Sequence, residues 1–188
     1  MSFSIRVIRC ALAMVGLTLL GSSLSTAAEK SSDFAASTID LGVVVSDLDA
    51  SAKFYKDVIG FTEAPSFSVP ADFCADAGLT DSKQLDIRVF VLGDSASATK
   101  LKLMELPNVA SKKSDNRFIH SQLGYSYLTI YVADSSAVQA RLKQAGVRPL
   151  AKGPVPLPAG LPEGMSLTVV RDPDGNLIEL IGRTASGN

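Results

Sequence analysis

The chain has 188 residues, 46% of them hydrophobic, with 18 Lys and Arg against 19 Asp and Glu. That is enough for one ordinary domain with its own core, and no basic face stands out that would bind nucleic acid. A single histidine excludes an iron site built from two histidines and a carboxylate.

Residues 1–28 carry no acid. Arg6 and Arg9 precede an apolar run from Cys10 to Leu20, and small residues follow through Ala27 and Ala28. Charged start, short apolar run and small-residue cleavage site predict a secretory signal peptide. The run is 11 residues, short of the roughly 20 that a span needs, so no stable membrane anchor is expected. The protein is expected to be exported, periplasmic or extracellular. Cleavage after residue 28 leaves 160 residues with 16 basic and 19 acidic side chains, and one cysteine, Cys74. No intrachain disulfide can then form, and stability must come from the core. Residues 29–37 read as a polar, mobile leader.

From residue 38 the pattern is regular. Thr38 to Val45 is rich in β-branched residues and predicts a strand. Asp47 suits a helix N-cap, because its carboxylate can accept the free N–H groups of the first turn. Leu48, Ala52, Tyr55 and Ile59 then recur at helical spacing, with Phe54 and Val58 beside them. Gly60 is placed for a left-handed helix end. Strands follow at 61–69, 84–92 and 100–106, with a loop or short helix at 70–83 and a turn at 93–99. The first unit is thus β-α-β-β-β, residues 38–107, and a polar connector spans 108–123.

The order then repeats over 124–182. Tyr125 to Val132 predicts a strand, Asp134 caps a helix with Val138, Leu142 and Ala145 on one face, and Gly146 ends it. Asp47 and Asp134 lie 87 positions apart, as do Asp40 and Tyr127, which is the mark of a duplicated module. A proline-rich stretch, 153–164, interrupts the second unit. Strands at 165–171 and 176–182 close it, joined by the Asp172-Pro173-Asp174-Gly175 turn.

Two stretches carry a family resemblance. VVVSDLDASAKFYKDVIGF, with Ser51, the Phe54-Tyr55 pair and Gly60-Phe61, resembles the opening of the vicinal oxygen chelate superfamily, which includes glyoxalase I, extradiol dioxygenases, and bleomycin and fosfomycin resistance proteins. DPDGNLIEL resembles the closing hairpin of the same superfamily. The resemblance implies an α+β fold over 38–182, with two tandem βαβββ modules whose sheets curl around one cavity.

Alternation along the strands then sorts the side chains. Ile39, Leu41, Val43 and Val45 should pack on the first helix, and Leu128, Ile130 and Val132 on the second. Asp40, Gly42 and Val44 are left for the cavity, as are Tyr125, Tyr127, Thr129 and Tyr131. Leu101, Leu103 and Glu105 share a face, as do Leu177, Glu179 and Ile181. Asp40, Glu105, Tyr127 and Glu179 are therefore expected to converge, with Leu103, Tyr125, Thr129 and Tyr131 lining the ligand space. In metal-binding members these four positions resemble the ligand set, but Asp40 and Tyr127 stand where histidine or glutamine is usual. Oxygen donors alone suit Mg²⁺, Mn²⁺ or Ca²⁺; the other reading is a relic site without metal. His120 reads as an ordinary loop residue and Cys74 as incidental. Three functions stay open: an exported protein binding a small organic ligand, with a homodimer open; a glyoxalase-like lyase or isomerase acting through an enediolate, with Glu179 or Glu105 moving the proton; and an interaction module with a vestigial cavity. Extradiol dioxygenase chemistry is not expected.

Overall fold

The computed structural model describes residues 35–36, 38–93 and 97–184. The signal peptide expected over 1–28 lies outside the described residues, as do most of the leader and part of the turn at 93–99. Residues Ala36–Asn188 form one compact unit. Among the described residues no helix is long and apolar enough to cross a membrane.

Among the described residues the unit contains two four-stranded mixed sheets, and the α+β expectation holds. The first is built from β1 (Leu41–Val44), β2 (Thr62–Val69), β3 (Leu85–Val91) and β4 (Lys100–Met104), in the order β1-β4-β3-β2. The second is built from β5 (Tyr127–Val132), β6 (Val155–Pro156), β7 (Met165–Arg171) and β8 (Leu177–Arg183), in the order β5-β8-β7-β6. In each, the first strand runs parallel to the last and the other neighbours are antiparallel. The same order twice is what the 87-residue repeat predicts. The proline-rich insertion shortens β6 to two residues. Pro65 sits in edge strand β2, where the register shifts between Ala64 and Phe67; a residue without an N–H is tolerated at such a place.

Helix α1 (Leu48–Lys53) starts as its sequence suggests: the Asp47 carboxylate accepts from Ala50 N at 2.9 Å. It runs on into a π-helical turn, Phe54–Ile59, which Gly60 closes at φ 101°. Gly60 N and Phe61 N both donate to Tyr55 O, at 3.0 and 2.9 Å. The sequence did not distinguish this wider turn from α-helix, because either geometry buries Phe54, Tyr55, Val58 and Ile59. In the second module Asp134 caps α3 (Ser135–Gln144) by accepting from Ser136 N and Ala137 N. A short α2 (Ala71–Asp76) covers the other face of the first sheet. There fully buried Cys74 packs with Leu85, Ile87 and Val89.

One large core joins the modules. Phe54, Tyr55, Val58 and Ile59 pack with Phe90, Leu101 and Leu103 of the first sheet and with Ile130, Val138, Leu142, Val170, Ile178 and Leu180 of the second module. Each buried side chain of this size contributes ~1.5–3 kcal/mol. Leu41, Val43, Val45, Leu128, Ile130 and Val132 face this core as expected, while Ile39 precedes β1 and is exposed. Polar contacts cross the seam as well. Arg141 of α3 donates to the carbonyls of Val58 and Ile59, both at 3.2 Å, and so satisfies acceptors at the end of the π-helical turn. The Tyr55 hydroxyl donates to Asp172 at 2.9 Å, and Ser46 N to Asp174 at 2.9 Å.

Both sheets lay their helix-bearing faces on the same core, so each turns its other face away from it. Helices and apolar side chains fill the core between these two faces.

Candidate functional site

Register decides which candidate side chains meet. Residues paired across neighbouring strands share a face. On the second sheet Tyr127 pairs with Leu177, Thr129 with Glu179 and Tyr131 with Ile181, while β7 sets Val169 beside Glu179 and Leu167 beside Ile181. This is the face turned away from the core. Its floor is apolar and half-buried, Tyr127 and Tyr131 stand exposed, and one carboxylate sits in the middle. The Thr129 hydroxyl donates to Glu179 Oε2 at 2.7 Å, which fixes the carboxylate against β5. Tyr125 precedes the strand and is fully exposed.

On the first sheet the equivalent face carries Asp40, Gly42 and Val44. Asp40 forms an ion pair with Lys102 at 2.8 Å. The hydrogen bond from Lys102 holds the Asp40 carboxyl below the usual carboxylate range. Lys102 was absent from the sequence candidates, yet the repeat could have found it. The 87-residue offset carries Thr129 back to Gly42; Thr129 pairs with Glu179 and Gly42 with Lys102. Lys102 is therefore the first-module counterpart of Glu179.

The structure places Glu105 and Leu103 on a different face from the one expected. In β4 the odd-numbered residues face the helix: Leu101 and Leu103 are buried in the core, and Glu105, just beyond the strand, accepts from Leu48 N at 3.0 Å. Glu105 thus caps the start of α1 and does not lie on the open face, and Leu103 lines no ligand surface. Residue type pairs glutamate with glutamate, but register places Lys102 opposite Gly42 where Glu179 stands opposite Thr129.

The four expected ligands consequently do not form one set. Among the described residues no three His, Cys, Asp or Glu side chains come together. Asp40 is neutralised by an ammonium group, Glu105 is on the helix side, and Glu179 has a hydroxyl neighbour. This donor arrangement does not fit a divalent cation, which needs several oxygen ligands around one point. His120 lies exposed in the connector, its ring stacked on Phe118 at 5.5 Å. Cys74 is inert by burial.

A second polar centre lies at the Asp172-Pro173-Asp174-Gly175 stretch, which the sequence marks only as a turn. Asp172 is 5% exposed. Its carboxylate accepts from Tyr55 Oη at 2.9 Å, Asp174 N at 3.0 Å, Asn176 N at 2.7 Å and Asn176 Nδ2 at 2.8 Å. Burial, and then the negative charge of Asp172, push the Tyr55 phenol far above its ordinary range, so it remains a donor. This centre is structural: it ties the closing turn of one module to the helix of the other.

Comparison with known proteins places the fold. The sequence pattern of the Glyoxalase/Bleomycin resistance protein/Dioxygenase superfamily matches residues 38–180. No curated protein is a significant match. Among solved structures, a glyoxalase family protein from Bacillus cereus is 19% identical with a TM-score of 0.64, covering 82% of this chain and 99% of that one. The trypanothione-dependent glyoxalase I of Leishmania major is 26% identical with a TM-score of 0.53, covering 76% of this chain and 84% of that one. A glyoxylase/bleomycin resistance protein/dioxygenase domain from Frankia is 18% identical with a TM-score of 0.54, covering 79% and 92%. The doubled βαβββ order, the Phe54-Tyr55 helix, the DPDGNLIEL hairpin and the match over 38–180 agree, and the chain belongs to the Glyoxalase/Bleomycin resistance protein/Dioxygenase superfamily.

Proposed function

We propose that this is an exported member of the superfamily that binds a small organic ligand against the open face of its second sheet. The observation that carries this is the Thr129–Glu179 pair, an anchored acceptor on an apolar floor between Tyr127 and Tyr131. Small-molecule sites combine apolar surface with a few fixed polar groups, and a ligand with an N–H or O–H donor suits this one. A homodimer belongs to the same reading. β1 and β5 are edge strands, and a second copy laid on them would cover tyrosines that one chain leaves in solvent. Export rests on residues 1–28; the mature protein is expected to begin at Ala28 or Glu29 by N-terminal sequencing, and an intact Met1 in the soluble pool would sink that part.

The runner-up is a metal-dependent lyase or isomerase with Glu179 as the base. The likeness to the Leishmania glyoxalase I favours it; the Asp40–Lys102 pair and the dispersed carboxylates weigh against it. Glu179→Gln separates the two. Glu179 shares its face with no second acid, so the neutral variant should melt within the equivalent of about 0.5 kcal/mol of wild type, and Mg²⁺ or Mn²⁺ should shift neither. A ligand found by screening should bind the variant at least tenfold more weakly, since one charge-assisted hydrogen bond is worth ~1.5–3 kcal/mol. A Mn²⁺-dependent rise in Tm that the variant loses would favour the lyase.

A further inference from the structure

Where β1 ends and the connector leaves β4, a cavity of about 310 Å³ opens at the seam between the modules. Three stretches wall it: Val44, Val45 and Ser46; the run from Glu105 into the connector as far as Ser114; and Asp174 with Asn176 of the closing turn. The size lies at the lower end of the ~300–1,000 Å³ typical of ligand pockets. None of its walls includes Tyr127, Thr129, Tyr131 or Glu179.

Its four charged side chains are not equivalent. Glu105 already accepts from Leu48 N at 3.0 Å. Asp174 already accepts from both the backbone N–H and the hydroxyl of Ser46. The two lysines are not matched in this way. Lys113 Nζ forms a long ion pair with Asp174 at 3.8 Å, beyond hydrogen-bond distance, so its three donors stay open. Lys112 has no ion pair among the described residues. The acids are thus held by fixed donors of the fold, while two ammonium groups, each with three donors and no acceptor, have none of that capacity fixed. Beside them Val45, Leu106 and Val109 offer an apolar wall.

We propose that this seam cavity is a second ligand site, for a small organic carboxylate with an apolar body. Lys112 and Lys113 meet the carboxylate, and Val45, Leu106 and Val109 pack against the body. Because the walls come from both modules and the connector, occupancy ties the three together and stabilises the fold by mass action.

Thermal melts test this with benzoate and hexanoate as probes, and with phosphate and benzylamine as an anion without an apolar body and a cation with one. At about ten times Kd the two carboxylates should raise Tm by roughly 3–5 °C, and phosphate and benzylamine should do nothing. Lys112→Gln/Lys113→Gln should melt like wild type without additive, because both side chains are exposed, and should lose the response. Tyr127→Ala should keep it, which separates this site from the open sheet face. The proposal is overturned if neither carboxylate shifts Tm, if phosphate shifts it equally, if the double lysine variant still responds, or if Tyr127→Ala abolishes the response.

Discussion

Asp172→Ala is expected to destabilise the domain by roughly 3 kcal/mol or more. The substitution leaves the Tyr55 hydroxyl, Asp174 N, Asn176 N and the Asn176 amide without the oxygens that now accept them. Each buried donor left unpaired costs ~1–3 kcal/mol, and some of these recover partners from water. For a chain of this size the loss lowers Tm by roughly 6–12 °C. Tyr55→Phe should cost less, about 1–2 kcal/mol, because it removes one donor and leaves three. The two changes share a contact, so the double variant should lose less than the sum of the singles. Urea melts of the four proteins give the coupling, and a strictly additive result would mean the seam bond contributes nothing.

Phe54→Ala is expected to cost about 3–5 kcal/mol. Phe54 is 7% exposed and meets Tyr55 edge to face at 5.3 Å. Tyr55 in turn meets Phe61 edge to face at 5.9 Å. Removing the first ring opens a cavity in the core shared by both modules, and neighbours in the π-helical turn are held by the backbone bonds that close it. A domain of this kind is stable by only ~5–15 kcal/mol, so the variant should be visibly weakened at 37 °C. A measured loss below about 1 kcal/mol would show that this helix face is not core.

The fold was largely legible because its signals are local and were repeated. Asp47 and Asp134 cap the helices that follow them, Gly60 ends the first helical stretch in the left-handed region, and alternation in β5 and β8 assigned faces correctly. The first module's site was less legible. Leu101, Leu103 and Glu105 share a face, but alternation alone does not say whether that face meets helix or solvent, since both sheet faces here carry apolar residues. The first has the shared core and the second has α2 with Cys74, Leu85 and Ile87. Pairing register resolves it, and register depends on contacts between strands that are distant in sequence. The role of Asp172 was hidden for the same reason. Its turn is local, but Tyr55 lies 117 residues away. Lys102 was the one residue within reach, by carrying the 87-residue offset across the strand pair.

The proposed ligand site is the open face of the second sheet, between Tyr127 and Tyr131. Chemical-shift mapping of the protein, titrated with a screened ligand, decides whether that is so. Binding there should give saturable shifts at Tyr127, Thr129, Tyr131, Glu179 and Ile181, lost in Glu179→Gln. Shifts that leave β5 and β8 unmoved and fall on the first sheet around Asp40 and Lys102 would place the ligand elsewhere and overturn this assignment.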